Sequence, residues 1–240
     1  MRALVPGYVL HRRPWRETSW LLDLWSAEGR TVAIAKGARA PRSRWSALLE
    51  PFQPLLLQWS GRGEVHTLTE AEWVDAAAAP LSGRAGFCGL YANELLLRTL
   101  LPGEAHTDLF ADYGDLMAEL RSLPAEPEIS ALELPLRRFE LRLLGALGYA
   151  LDLQRCSGGE PIAPAGHYHF VPGTGLCRSP SASSDAFAGE ALLALGRCEL
   201  PDLNARRTAK QLLRTALRPL LGSAPLFSRA LFTAPGQMRS

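Results

Sequence analysis

The chain has 240 residues, 47% of them hydrophobic, with 26 basic and 24 acidic side chains. That balance excludes a disordered, collagenous or low-complexity chain. No apolar run approaches the ~18 residues of a membrane span, and the opening MRALVPGYVLHRRPWRE is broken by His11, Arg12 and Arg13 too early for a signal peptide.

The net charge of +2 hides an asymmetry. Residues 1–44 carry nine basic and three acidic side chains, residues 45–196 carry nine and 19, and residues 197–240 carry eight and two. Two basic ends around an acidic middle can mark nucleic-acid contact. Only Lys36 and Lys210 are lysine, and the bias to Arg, Ala and Leu reads as genomic base composition.

The first 75 residues read as strands. Leu4 to Leu10 is a β-rich run. Thr18–Trp25 alternates, with Trp20, Leu22 and Leu24 on one face and Leu21, Asp23 and Trp25 on the other. Ala27-Glu28-Gly29-Arg30 is a turn, and Thr31–Ala35 returns to complete a hairpin over 18–36. Ser43–Glu50 is expected to make one or two helical turns capped by Ser43. Pro54–Trp59 and Glu64–Thr69 form a second hairpin across Gly61-Arg62-Gly63. Five strands in this order predict a small Greek-key barrel of the OB type; periodicity alone also allows an SH3-like barrel.

All six tryptophans lie in this first third. Ala76-Ala77-Ala78-Ala79-Pro80 then reads as a boundary. Segments 82–101, 107–122 and 129–148 follow with apolar residues at helical spacing. In the third, Leu132, Leu136, Phe139, Leu143 and Leu147 make one stripe, and Gly148 ends the helix. Residues 150–183 are rich in Gly and Pro, an insert with a short hairpin around His167–Val171. Helices resume at 184–196 and 202–221. The class expected is α+β and multidomain: a five-stranded barrel domain over 1–76, then a helical domain over 80–240 with the insert 150–183.

Four groups of residues could carry function. The first is the basic set Arg12, Arg13, Arg16, Lys36, Arg39, Arg42 and Arg44. Arg12 to Arg16 are read as following the first strand, and Lys36 to Arg44 as following the third. In a barrel these loops can share one side, and clustered cations neutralise phosphates and release counterions. Barrel tryptophans ordinarily fill the core. Trp15 and Trp45 sit among arginines outside an alternating strand and are the candidates for base stacking.

The second group is a ridge of Arg206, Lys210, Arg214 and Arg218, spaced by four on the last long helix, with no acidic partner at i+4. The third is Arg137, Arg138 and Arg142 beside Leu141. A cationic rim around an apolar groove could hold an acidic peptide with a hydrophobic end, although pairing with Glu133 or Glu140 would account for these arginines equally well. The fourth is Cys156 and Cys177 with His167 and His169 between them. Zinc would want close-set pairs. Here Gly159 and Pro180 stand where the second cysteines would be, so free thiols are expected. Cys88, Cys156, Cys177 and Cys198 form no CxxC, as suits a reducing cytoplasm.

Catalysis finds little footing. There is no GxSxG, no Walker loop, no GxGxxG and no HExxH. The nearest carboxylate pair, Glu70 and Glu72, has nothing beside it to make it an acid–base site.

Taken together, GYVLHRRPWRETSWLLDLWSAEGRTVAIAKGARAPRSRWSALLEPFQPLLLQWSGRGEVHTLTEAE, YANELLLRTL, LRRFELRLLGALGYALDL and AKQLLRTALRPLLGSAPLFSRALF resemble, in order and spacing, the RecO family of bacterial recombination mediators. The resemblance implies an amino-terminal OB-fold and a helical carboxy-terminal domain. It implies binding to single- and double-stranded DNA, annealing of complementary strands, and help in loading RecA onto DNA covered by single-strand binding protein, SSB. Partners would be the acidic, hydrophobic tail of SSB, RecR and RecF, in a cytoplasmic, nucleoid-associated setting. Many members hold zinc through two CxxC pairs in the insert; this sequence keeps one cysteine of each, which implies the subgroup without metal or other cofactor. The family's barrel cations fall on Arg12, Arg13, Lys36, Arg39, Arg42 and Arg44, and the SSB-tail contact near Arg137, Arg138 and Leu141. A non-enzymatic DNA-binding adaptor is the expectation. The alternative is a protein-only adaptor whose barrel binds a peptide and not DNA.

Overall fold

The structure, a computed structural model, describes residues 3–74, 79–124, 126–180, 183 and 185–233. The boundary expected at 76–80 falls partly on residues outside this set. The chain divides into two compact units, Met1–Pro127 with Pro225–Ser240, and Glu128–Ala224.

The first unit is built on a closed five-stranded barrel: β1 (Val5–Trp15), β2 (Ser19–Ser26), β3 (Gly29–Ala35), β4 (Leu55–Ser60) and β5 (Val65–Trp73), in the order β1-β2-β3-β5-β4. The β3–β5 pair is parallel and the others are antiparallel. A one-turn helix α1 (Trp45–Leu48) lies between β3 and β4. This is the OB-type arrangement. Leu22, Leu24, Val9, Ala33, Leu57 and Leu68 help fill the barrel core. Ser43 is one residue short of the cap of α1. Its hydroxyl still accepts the Trp45 amide at 3.3 Å, but the capping position itself belongs to Arg44.

β1 runs five residues beyond the stretch expected from Leu4 to Leu10. Arg12 and Arg13 therefore sit within the strand and do not follow it. The reason is the β1–β2 hairpin, whose pairing continues to Trp15↔Ser19. An irregularity between Val9 and His11 leaves Leu10 as a bulged residue.

β2 is buried on both sides. Its second face meets helix α3 (Thr107–Ser122), and helix α2 (Gly83–Thr99) packs on β1. Trp25 packs against Phe110 at 6.1 Å between ring centres, and Tyr8 of β1 meets Tyr113 edge-on at 4.9 Å. Asn93 locks the layer. Its amide donates to the Leu10 carbonyl at 2.7 Å, and its oxygen accepts the Tyr113 hydroxyl at 2.6 Å. Gly89 allows the close approach of Phe52, since a Cβ there would lie 2.8 Å from that ring. A final helix, α7 (Phe227–Thr233), packs on α2 and lies outside the helices expected from periodicity.

The second unit contains α4 (Ile129–Ala146), the insert, α5 (Gly189–Gly196) and α6 (Leu203–Leu217). The insert carries a three-stranded sheet, β6 (His167–Val171), β7 (Gly175–Ser179) and β8 (Phe187–Ala188), in the order β7-β6-β8. The apolar stripes of α4 and α6 are buried at Leu132, Leu136, Phe139, Leu143, Ala209, Leu212, Leu213 and Leu217. Asp202 caps α6 by accepting the Ala205 amide at 2.7 Å. Gly148 follows α4 at φ +81°, the left-handed conformation that ends a helix.

Candidate nucleic-acid interface

Antiparallel neighbours that face one another project to the same side of a ladder. After the bulge, Arg12 is opposite Leu22 and Pro14 is opposite Trp20. Arg12 thus lies on the side of the core residue Leu22, and Arg13, opposite Leu21, lies on the other. Trp20 and Trp45 are partly buried and pack against the barrel core. Guanidinium groups lie over both. The Cζ of Arg12 and that of Arg39 are 5.0 and 5.4 Å from the centre of the Trp20 ring, and that of Arg44 is 4.6 Å from Trp45. Such cation–π contacts orient a guanidinium and leave its N–H edge free to bond.

The loops after β1 and β3 do share one side. The Arg39 amide donates to the Thr18 carbonyl at 2.7 Å, and the Arg39 guanidinium donates to the Arg16 carbonyl at 3.2 Å. Arg16 and Arg42 both have positive φ, +52° and +65°. Arg16, Lys36, Arg39 and Arg42 are exposed. None of them, nor Arg13, forms an ion pair among the described residues. Two other cations of the set are paired: Arg12 with Glu50 at 2.6 Å, and Arg44 with Glu70 at 3.1 Å.

Trp20 has a central place here that the sequence did not show. Its alternation with Leu22 and Leu24 marks it as core, and nothing local shows that it lies beneath Arg12 and Arg39. Trp25 and Trp59 are buried. Trp15 is 39% exposed, as base stacking requires, whereas Trp45 already carries Arg44.

In the second unit, Arg206 of α6 reaches Glu133 of α4 at 3.9 Å, a partner from another helix where no i+4 partner exists. Lys210, Arg214 and Arg218 are exposed and form no ion pair among the described residues. On α4, Arg137 bonds the fully buried Glu140 at 2.6 Å. Leu141 is partly buried against the core shared by the insert and α6. Arg138 is half-buried and Arg142 is exposed; both are engaged in contacts.

The four candidate metal ligands do not converge. The Cys156 thiol donates to the Glu160 carboxylate at 2.8 Å, and Cys177 contacts the Ser157 hydroxyl at 3.3 Å. The Cys156–Glu160 bond holds the Glu160 carboxyl below its ordinary range, and Cys156 would have to give that bond up to serve as a zinc ligand. His169 is opposite Cys177 in the β6–β7 pair, but His167 is opposite Ser179. Among the described residues no three His, Cys, Asp or Glu side chains gather. The donor set does not fit tetrahedral zinc. Among the described residues, too, no helix is long and apolar enough to cross a membrane.

Comparison with known proteins bears on the whole chain. A family model described as "Recombination protein O N terminal" matches residues 1–77, and one described as "Recombination protein O C terminal" matches residues 81–230. A protein of Erwinia tasmaniensis described as "DNA repair protein RecO" is 48% identical over 228 residues, covering 94% of this chain and 91% of that protein. Proteins of the same description from Pectobacterium atrosepticum and Klebsiella pneumoniae are 46% and 44% identical over the same lengths and shares.

Proposed function

The chain belongs to the RecO family of DNA repair proteins, and from that premise we propose that it acts as a recombination mediator with no catalysis of its own. It binds single- and double-stranded DNA, anneals complementary strands and helps load RecA onto SSB-covered DNA in the cytoplasm. It needs no metal for this. The observation that carries the DNA-binding part is the pair of basic loops joined through Arg39, whose guanidinium lies over Trp20, with Arg16, Lys36, Arg39 and Arg42 exposed and forming no ion pair among the described residues.

Such a surface contacts phosphates and carries no sequence code. Arg12 and Arg44 extend it, and Arg13 adds positive charge on the far side of β1. The exposed ridge of α6, with Arg206, Lys210 and Arg214, gives a second surface of the same chemistry, so one protein can screen two strands as they pair. The SSB tail is received near Arg138, Leu141 and Arg142. Arg137 sets that region's shape through Glu140. RecR and RecF complete the assembly.

Fluorescence anisotropy of labelled single-stranded oligonucleotides over a salt series tests the reading. We expect dissociation constants of about micromolar or tighter that weaken steeply with salt. Reversing Lys36, Arg39 and Arg42 to Glu should weaken all sequences alike and lower the salt slope by roughly 2. SSB-tail binding with no DNA affinity at low salt would favour a protein-only adaptor instead.

A further inference from the structure

Two carboxylates stand within the basic face. Glu50 holds Arg12 at 2.6 Å while that guanidinium lies over Trp20, and Glu70 holds Arg44 at 3.1 Å while that guanidinium lies over Trp45. The two pairs are built alike: a core-packed indole beneath, an arginine over it, and a carboxylate on the arginine's N–H edge. The carboxylate side chains are 46% and 36% exposed, so solvent and ligands reach them. We infer that Glu50 and Glu70 occupy two subsites for backbone phosphates, and that DNA binds at Arg12 and Arg44 by displacing them. The inference rests on the reading of this face as the DNA-binding surface.

The chemistry favours the exchange. A phosphodiester presents the same pair of anionic oxygens to a guanidinium as a carboxylate does. An Arg–carboxylate pair that solvent reaches is a weak interaction in water, so incoming phosphate meets a weak competitor. The indole beneath each arginine keeps the fork in place while its anion changes, so the swap needs no rebuilding of the loop. The displaced carboxylate is then left beside DNA, where it recruits a cation from solution and opposes the phosphate. Binding at these two positions is therefore weaker and less salt-dependent than at Arg16, Lys36, Arg39 and Arg42, which have no such partner among the described residues. A mediator that must release strands after pairing them would use such graded contacts.

The test compares Glu50→Gln, Glu70→Gln and the double variant with Glu72→Gln, by anisotropy on labelled single-stranded DNA over a salt series. Glu72 lies two residues from Glu70, is exposed and forms no ion pair among the described residues. It removes the same charge without freeing an arginine. We expect each paired variant to bind roughly 3-fold more tightly and the double variant roughly tenfold, with Glu72→Gln changing affinity by less than about 1.5-fold. The salt slope of the double variant should steepen by up to about 1.4, near 0.7 for each arginine freed. Glu50→Gln and Glu70→Gln binding no tighter than Glu72→Gln, with the wild-type protein binding well, would overturn the inference alone. Failure of the wild-type protein to bind DNA would overturn the reading of the face, and this inference with it.

Discussion

Arg12 owes its place over Trp20 to one extra residue. Had β1 alternated without interruption from the core residue Val9, His11 and Arg13 would share its side and Arg12 would not. The bulge at Leu10 reverses that parity, so Arg12 falls opposite Leu22. A period-2 reading cannot see a bulge, which is why the sequence listed the cations of this loop without separating Arg12 from Arg13. The same scale shows strain in the basic loops. Arg16 and Arg42 take the left-handed conformation, which costs a side-chain-bearing residue about 1 kcal/mol and which glycine adopts freely. Strain of this kind persists where a position serves function. Replacing Arg42 with Gly should raise stability by about 0.5–1 kcal/mol in urea unfolding while weakening DNA binding. If stability and affinity fell together, Arg42 would be holding the loop's fold and not a phosphate.

At the scale of elements, most boundaries were legible because periodicity and stop signals agree. The apolar stripes of α4 and α6 are the faces that are buried, and Gly148 ends α4. What holds elements to each other was not legible, because it depends on single polar groups far apart in sequence. Asn93 is the clearest case, joining β1, α2 and α3 through Leu10 and Tyr113. Asn93→Leu should cost roughly 2–4 kcal/mol in chemical denaturation, since it strands a buried carbonyl and a buried hydroxyl.

α7 depends on a comparable clasp. The Glu94 carboxylate of α2 accepts the Ser228 hydroxyl at 2.6 Å and the amides of Ser228 and Phe227 at 2.9 and 3.0 Å, and it pairs with Arg98 at 2.7 Å. Burial pushes the Glu94 carboxyl up, but the bonds from Ser228 and Phe227 and the charge of Arg98 outweigh it and hold it below the ordinary carboxylate value. A carboxyl lowered in this way stabilises the docked helix above its unfolded value, and that stability is lost as pH falls through the folded value. Amide exchange in 227–231 should therefore be protected at neutral pH and accelerate, relative to the intrinsic rate, below about pH 4.5. Glu94→Gln should show fast exchange there at every pH. Protection that persists in Glu94→Gln would mean that apolar packing alone holds α7.

Across the whole molecule, the small net charge resolves into one basic surface on each unit. The first basic stretch becomes the two barrel loops, and much of the last becomes the exposed ridge of α6. The acidic middle supplies their partners as well as solvation: Glu50 and Glu70 for the barrel, Glu133 for Arg206. If the two basic surfaces hold separate strands, reversing Lys210, Arg214 and Arg218 to Glu should slow annealing of complementary oligonucleotides by roughly tenfold or more while changing single-strand affinity at the barrel by only a few-fold. Stopped-flow annealing read beside anisotropy separates the two effects. An equal loss in both would mean a single continuous site.

The sequence by itself determined the five barrel strands, the helices other than α7, the family and the inventory of cations. Each of these follows from local periodicity, turn chemistry or residue order. Only the tertiary structure decided which arginines are spoken for. Arg12 and Arg44 lie over tryptophans and bond carboxylates, Arg137 serves a buried glutamate, and Arg16, Lys36, Arg39 and Arg42 form no ion pair among the described residues. The physical reason is that an ion pair forms wherever folding brings opposite charges within a few ångströms, and Glu50 is 38 residues from Arg12 along the chain. No spacing rule spans that distance. A bulge, a strand pairing and a short helix do.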